Sequence, residues 1–194
     1  MLARDAVVVD GELSVSPGTL PPPVYLALYK PKGYACDGMP GSSSAAPRPL
    51  DRLFTVGRLD AQTSGLLFVT NDGAWAARVA HPSTGVLKEY RASVAERVTA
   101  RHLDRLARGC EVQGRWVRPV AVRRQPERAD GVEVVVGEGR HREVRELLAA
   151  AELSLKNLRR VQVGDYRLPA ACRPGEVVEL SAARAWRLVG GRGR

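Results

Sequence analysis

Val56-Gly57-Arg58-Leu59-Asp60-Ala61-Gln62-Thr63-Ser64-Gly65-Leu66-Leu67-Phe68-Val69-Thr70-Asn71-Asp72-Gly73 is the stretch around which the rest of the chain organises. Residues 66–70 are mostly apolar without alternation, the pattern of a strand buried on both faces and therefore central in its sheet. Asn71-Asp72-Gly73 turns the chain, and residues 74–80 read as a short helix burying Trp75 and Val79. Asp60 stands just before Thr63-Ser64-Gly65, in a loop, and loops held by a rigid scaffold are where catalytic groups concentrate. Taken alone, Asp60 reads equally well as a turn aspartate bonded to its own backbone.

Upstream, Tyr25-Leu26-Ala27-Leu28-Tyr29 reads as a buried strand stopped by Lys30-Pro31-Lys32-Gly33. Residues 37–49 are Gly, Ser, Pro and Ala with little to pack, and read as a mobile loop. Ala6-Val7-Val8-Val9 before Asp10-Gly11 reads as a strand entering a tight turn. Ser16-Pro17-Gly18 and Pro21-Pro22-Pro23 then make a stiff linker.

Downstream, residues 89–94 alternate, with Tyr90, Ala92 and Val94 on one face. Thr99 caps a helix carrying Leu103, Leu106 and Ala107, and Gly109 ends it. Residues 110–124 read as hairpin material turning at Gln113-Gly114, and 132–136 as another strand. Val144, Leu147, Leu148 and Ala151 follow the helical i, i+3, i+4, i+7 spacing. Arg142 and Arg145, three apart, are expected on a neighbouring face of that helix. Strands at 158–163 and 176–180 and a helix near 182–188 follow. Without a regular βαβ rhythm, an α+β fold around a mixed, largely antiparallel sheet is expected.

Composition narrows the function. Thirty Lys and Arg against 21 Asp and Glu give a formal charge of +9, an excess that suits a polyanionic partner such as nucleic acid. Cys36, Cys110 and Cys172 are isolated, without CxxC spacing, so neither a zinc site nor a disulfide framework is indicated. His81, His102 and His141 are equally scattered, and no P-loop or GxGxxG fingerprint is present. No metal and no cofactor are therefore expected. No apolar run approaches the roughly 18 residues of a membrane span, so a soluble, cytoplasmic protein is expected.

Four segments in order resemble one family, the RNA pseudouridine synthases, in the branch that modifies single sites of small- or large-subunit ribosomal RNA. The first is Leu28-Tyr29-Lys30-Pro31-Lys32-Gly33-Tyr34, and the second is the 56–73 block. The third runs from His81-Pro82-Ser83 to Lys88-Glu89-Tyr90. The fourth is Glu138-Gly139-Arg140-His141-Arg142-Glu143-Val144-Arg145 with Leu158-Arg159-Arg160-Val161-Gln162-Val163-Gly164. The resemblance spans residues 24–181.

It implies a sheet in two lobes with a central active-site cleft, motifs near 60 and 90 facing those near 145 and 158. It implies Asp60 as the essential carboxylate acting at the ribose, Tyr90 stacking on the uracil, and Arg145 pairing with the aspartate. Leu158 would pack under the tyrosine, and Arg58 would support the flipped nucleotide. Lys30, Lys32, Lys88, Arg140 and Arg142 are expected RNA contacts. The implied partner is RNA, foremost ribosomal RNA, bound by a monomer. A base that must leave its stack calls for an apolar floor and a basic rim.

Two departures stand out. Family members often carry Gln-Val-Arg-Arg where this chain has Glu143-Val144-Arg145-Glu146. Many also carry an N-terminal RNA-binding domain of the S4 type, of which residues 1–23 resemble only a remnant or linker. Either the chain belongs to a form without that domain or it is part of a longer protein, in which case a plastid or mitochondrion is the alternative location. Residues 182–194 are expected as a helix and basic tail. The competing reading is an RNA-binding or ribosome-assembly factor that kept the fold and lost the reaction.

Overall fold

A computed structural model describes residues 7–9, 12–15, 22–36 and 53–189, the first two segments as backbone only. The expected linker at 16–21, the loop at 37–49 and the tail at 190–194 lie outside the described residues. Strands β1 (Val7–Val9) and β2 (Glu12–Val15) pair antiparallel with Val9 opposite Glu12, as the Val run entering a turn implies.

The main sheet grows from β5 (Thr63–Thr70). Its neighbouring Leu66 and Leu67 are both fully buried, yet belong to different core clusters. The period of two sends them to opposite faces, which is why the segment is apolar without alternation. On one edge β5 pairs with β3 (Tyr25–Lys30). Along the other it takes β4 (Phe54–Val56), antiparallel, and the middle of β11 (Leu155–Val163), parallel.

Beyond β3 lies β13 (Val177–Glu179). Beyond β11 come β6 (Lys88–Val94), β10 (Gly131–Val136) and β9 (Ala121–Arg124). A short β12 (Tyr166–Arg167) folds back on β11. The β5–β11 contact is the one parallel pairing among the described strands, so the sheet is mixed and largely antiparallel, as expected.

Two cores flank the sheet. One gathers Tyr25, Leu66, Phe68 and Trp75 under α1 (Gly73–Ala80) and α4 (Ala182–Val189). Asp72 caps α1 by accepting from the Trp75 amide at 3.0 Å, and Tyr25 donates to its other oxygen at 2.7 Å. Trp75 is fully buried and donates from Nε1 to the Ala185 carbonyl at 2.9 Å, which docks α4 in the same core. The other core gathers Leu67, Tyr90, Val132 and Val134 under α2 (Ala100–Arg108) and α3 (Glu143–Ala150).

Thr99 and Gly109 cap α2 as the sequence indicates. Ala107 is exposed, however, because α2 is heavily charged and only Leu106, with Leu103 partly, turns inward. The 110–124 segment divides. Cys110–Val112 (β7) and Arg115–Val117 (β8) form the hairpin turning at Gln113 and Gly114, whose φ are 51° and 74°. Residues 121–124 leave it to extend the main sheet as β9.

Gly65 is where the two halves of the sheet meet. Its φ is +108°, and a Cβ added there would stand 2.1 Å from the Arg160 carbonyl oxygen. Gly65→Ala is expected to combine backbone strain with overpacking and to cost roughly 2–4 kcal/mol, read as a lowered urea midpoint.

Candidate active site

The Asp60 loop is tied down on both sides of the aspartate. Gly57, at φ +72°, turns the chain after β4. Leu59 is buried, and its amide and carbonyl both contact Cys36 Sγ at 3.3 Å. The Ala61 carbonyl accepts from the Gly33 amide at 2.7 Å, and the Asp60 carbonyl accepts from the Thr63 amide at 2.9 Å.

Beneath the loop lies Lys30, with no exposed surface. Its ammonium donates to the carbonyls of Pro31 at 2.8 Å, Tyr34 at 2.6 Å and Ala61 at 3.4 Å. Burial pushes its pKa down, opposed by the neighbouring Cys36 and Asp60. The expectation of Lys30 as an RNA contact is therefore corrected. Its charge is spent on the main chain, joining the 31–34 turn to the Asp60 loop, and none of it faces solvent.

The opposing wall is the start of α3. Arg142, expected on the helix with Arg145, instead precedes it as the N-cap, in the left-handed region at φ 59°. Glu143 is buried and accepts from the Arg140 amide at 2.7 Å, closing the turn. This geometry swings Arg145 across the cleft. Its Nε donates to Asp60 Oδ2 at 3.1 Å, and its Nη2 donates to Thr63 Oγ1 at 2.9 Å.

His141 Nε2 lies 3.8 Å from the other Asp60 oxygen. The Asp60 and Arg145 side chains remain 34% and 21% exposed. An ion pair so open to water adds only about 1 kcal/mol or less to stability. What it fixes is direction: one prong of the guanidinium holds the carboxylate while the other is anchored on Thr63.

Tyr90 on β6 and Leu158 on β11 form the floor. These strands are neighbours, with Leu158 opposite Ala92 and Arg160 opposite Tyr90. Of the expected arrangement, 60 facing 145 is present, while 90 facing 158 is corrected. Tyr90 and Leu158 share one sheet surface, while Asp60 and Arg145 clasp above it.

The resulting open cavity, about 460 Å³, also takes in Arg58, Arg140 and Arg142 at its rim, a volume suited to a nucleoside-sized ligand. Arg140 pairs with Glu138 at 2.6 Å. Lys32 stays outside, exposed and donating to Asn157 at 3.1 Å. Lys88 is not a rim cation either. It is buried, donates to the Glu138 carbonyl at 3.2 Å and lines a small neighbouring cavity.

Thr63 and His141 are site residues that sequence reasoning missed. Thr63 had a signal, its position opening the central strand three residues after Asp60. His141 also had one, its place in the segment of 138–145 that ends on Arg145. Among the described residues no cluster of three metal-ligating side chains occurs, and no helix is long and apolar enough to cross a membrane.

Residues 24–150 match the sequence model of a family described as RNA pseudouridylate synthase. The chain belongs to this family. A chloroplast relative from Arabidopsis thaliana, carrying a ribosomal large subunit pseudouridine synthase name, is 40% identical over 92% of this chain and 48% of its own length. Ribosomal small subunit pseudouridine synthase A of Vibrio cholerae is 32% identical over 87% of this chain and 77% of its own length. Ribosomal large subunit pseudouridine synthase B of Yersinia pestis is 36% identical over 80% and 51%. The chain thus spans about half the length of the Arabidopsis and Yersinia relatives and about three quarters of the Vibrio one. A solved pseudouridylate synthase shares the fold, with a TM-score of 0.74 at 24% identity over 88% of this chain and 75% of its own.

In this member of the family, Thr63→Val removes the acceptor of one Arg145 prong and is expected to cost about 1–2 kcal/mol. Arg142→Ala, at an exposed position, is expected to change stability by no more than about 0.5 kcal/mol. Urea unfolding of the two variants side by side checks both figures.

Proposed function

We propose that this chain isomerises a uridine of a structured RNA, ribosomal RNA first among candidates, to pseudouridine. The observation that carries the reading is the Asp60 carboxylate, aimed by Arg145 over a floor of Tyr90 and Leu158 in an open cleft. Each feature answers a need of the reaction. The base must be taken out of its stack and held while detached, and the apolar floor offers it a surface. The ribose must meet a charged carboxylate, and the guanidinium fork keeps that charge pointed into the cleft.

Arg58, Arg140 and Arg142 supply a rim for the phosphates, and the net charge of +9 supports the same partner. The isomerisation exchanges an N–C bond for a C–C bond within one nucleotide, so this reading requires no electron or group carrier. We take residues 24–181 as the catalytic unit, with α4 docked onto it, acting as a single copy because the whole cleft is built within one chain. Its proposed site of work is the cytoplasm, with a plastid or mitochondrion as the alternative; the Arabidopsis relative carries a chloroplast name.

Carbodiimide labelling and primer extension on unmodified ribosomal RNA incubated with the protein alone tests the reading. The expected result is a new stop at a defined uridine. Asp60→Asn is expected to slow its appearance on the order of a thousandfold or more, and Arg145→Lys about a hundredfold, since an ammonium cannot reproduce the fork. RNA bound without any new stop, by wild type as by Asp60→Asn, would instead support a ribosome-assembly factor with the same fold.

A further inference from the structure

We propose that a second, small cavity beside the cleft is a phosphate subsite formed by Lys88 and Arg160, taking one backbone phosphate of the RNA. The proposal rests on the reading of the protein as an RNA-acting enzyme. The cavity measures about 70 Å³ and is lined by Val56, Gly57, Arg58, Lys88, Gly139 and Arg160, among others. It shares Gly57, Arg58 and Gly139 with the main cleft, so it adjoins the site proposed for the nucleotide.

Charge singles it out. Lys88 is 8% exposed and Arg160 4%, and among the described residues neither makes an ion pair within 4.0 Å of a carboxylate. Lys88 Nζ donates only to the Glu138 carbonyl at 3.2 Å, and Arg160 donates from Nε to the Leu66 carbonyl at 2.8 Å. The two cations act on each other: the Lys88 pKa is lowered first by burial and then by Arg160, with Glu143 opposing both.

The nearby carboxylates answer this charge only in part. Glu138 lines the cavity, but its carboxylate pairs with Arg140 at 2.6 Å. Glu143 accepts from the Arg140 amide and burial raises its pKa, while its charge also acts on Lys88. A buried charge is costly unless an opposite charge meets it; Glu143 offsets Lys88 in part, and Arg160 beside it calls for an anion. Bracing the 138–139 turn would account for the Lys88 contact but leaves Arg160 without a counter-charge. The cavity has room for a tetrahedral oxyanion.

The test follows the Arg160 Nε–H resonance while inorganic phosphate is added, and again with a ribosomal RNA fragment. RNA affinity is then measured across a salt series for the native chain and for Lys88→Met. Circular dichroism melting confirms that the variant folds, and the phosphate titration of the native chain needs no variant. The expected result is a saturable shift with phosphate, a matching shift with RNA, and RNA that competes with the ion. Lys88→Met should abolish the phosphate shift and weaken RNA binding several-fold, with a log–log salt slope shallower by about 0.7–0.9. No saturable shift, with an unchanged slope, overturns the subsite. A shift with phosphate but none with RNA overturns the assignment to the RNA backbone and leaves a free-anion site. Phosphate and RNA binding as expected, with no uridine isomerised, leaves the subsite standing and sinks the proposed reaction instead.

Discussion

Strands β5 and β11 run parallel for only three residues, Thr63–Gly65 against Leu158–Arg160, and the Arg160 carbonyl occupies the space a side chain on Gly65 would need. That contact joins the half of the sheet built on β3, β4 and β13 to the half built on β6, β10 and β9. Every element of the cleft hangs from it. Asp60 leads into β5, Leu158 lies on β11 and Tyr90 on the strand beside it. Thr63, the first residue of the pair, receives one prong of Arg145. The approach that closes the sheet also sets the spacing of the groups that line the cleft.

The interactions that shape the site are weak as sources of stability and strong as sources of geometry. The Arg145–Asp60 pair is open to water and adds about 1 kcal/mol or less. A fork anchored on both a carboxylate and a buried threonine nevertheless leaves the aspartate little freedom. Beneath it, Lys30 satisfies three carbonyls at the cost of burying an ammonium, a cost visible in its lowered pKa. Rigid support under a half-exposed carboxylate is what preorganisation demands of a site.

Much of this was legible in the sequence, and the boundary has a physical basis. The unalternating run at 66–70 announced a central strand because local pattern alone decides whether both faces are buried. Thr99 and Gly109 marked α2, and Gly114 its hairpin, because caps and turns are local chemistry. The motif around Asp60 led to the cleft, and Arg145 was expected at its partner. The fates of Lys30, Lys88 and Arg160 were not legible. Lys30 and Lys88 were expected as RNA contacts, and only distant segments, the Asp60 loop and the 138–139 turn, enclose them. Arg142 was misjudged because periodicity carried the helix one residue too far, past a left-handed N-cap that no local signal marked.

The central claim is that the Asp60 cleft breaks the uracil N–C bond and remakes it through C5. RNA tritiated at uracil C5 reports this directly, because C5 loses its hydrogen when it becomes the glycosidic carbon. The measurement is tritium released to water from labelled, unmodified ribosomal RNA, with the native chain and with Asp60→Asn, no cofactor added. The account predicts release by the native chain, approaching a fixed stoichiometry per RNA, and essentially none from the variant. Equal release by both proteins, or tight RNA binding with no release by either, would contradict it.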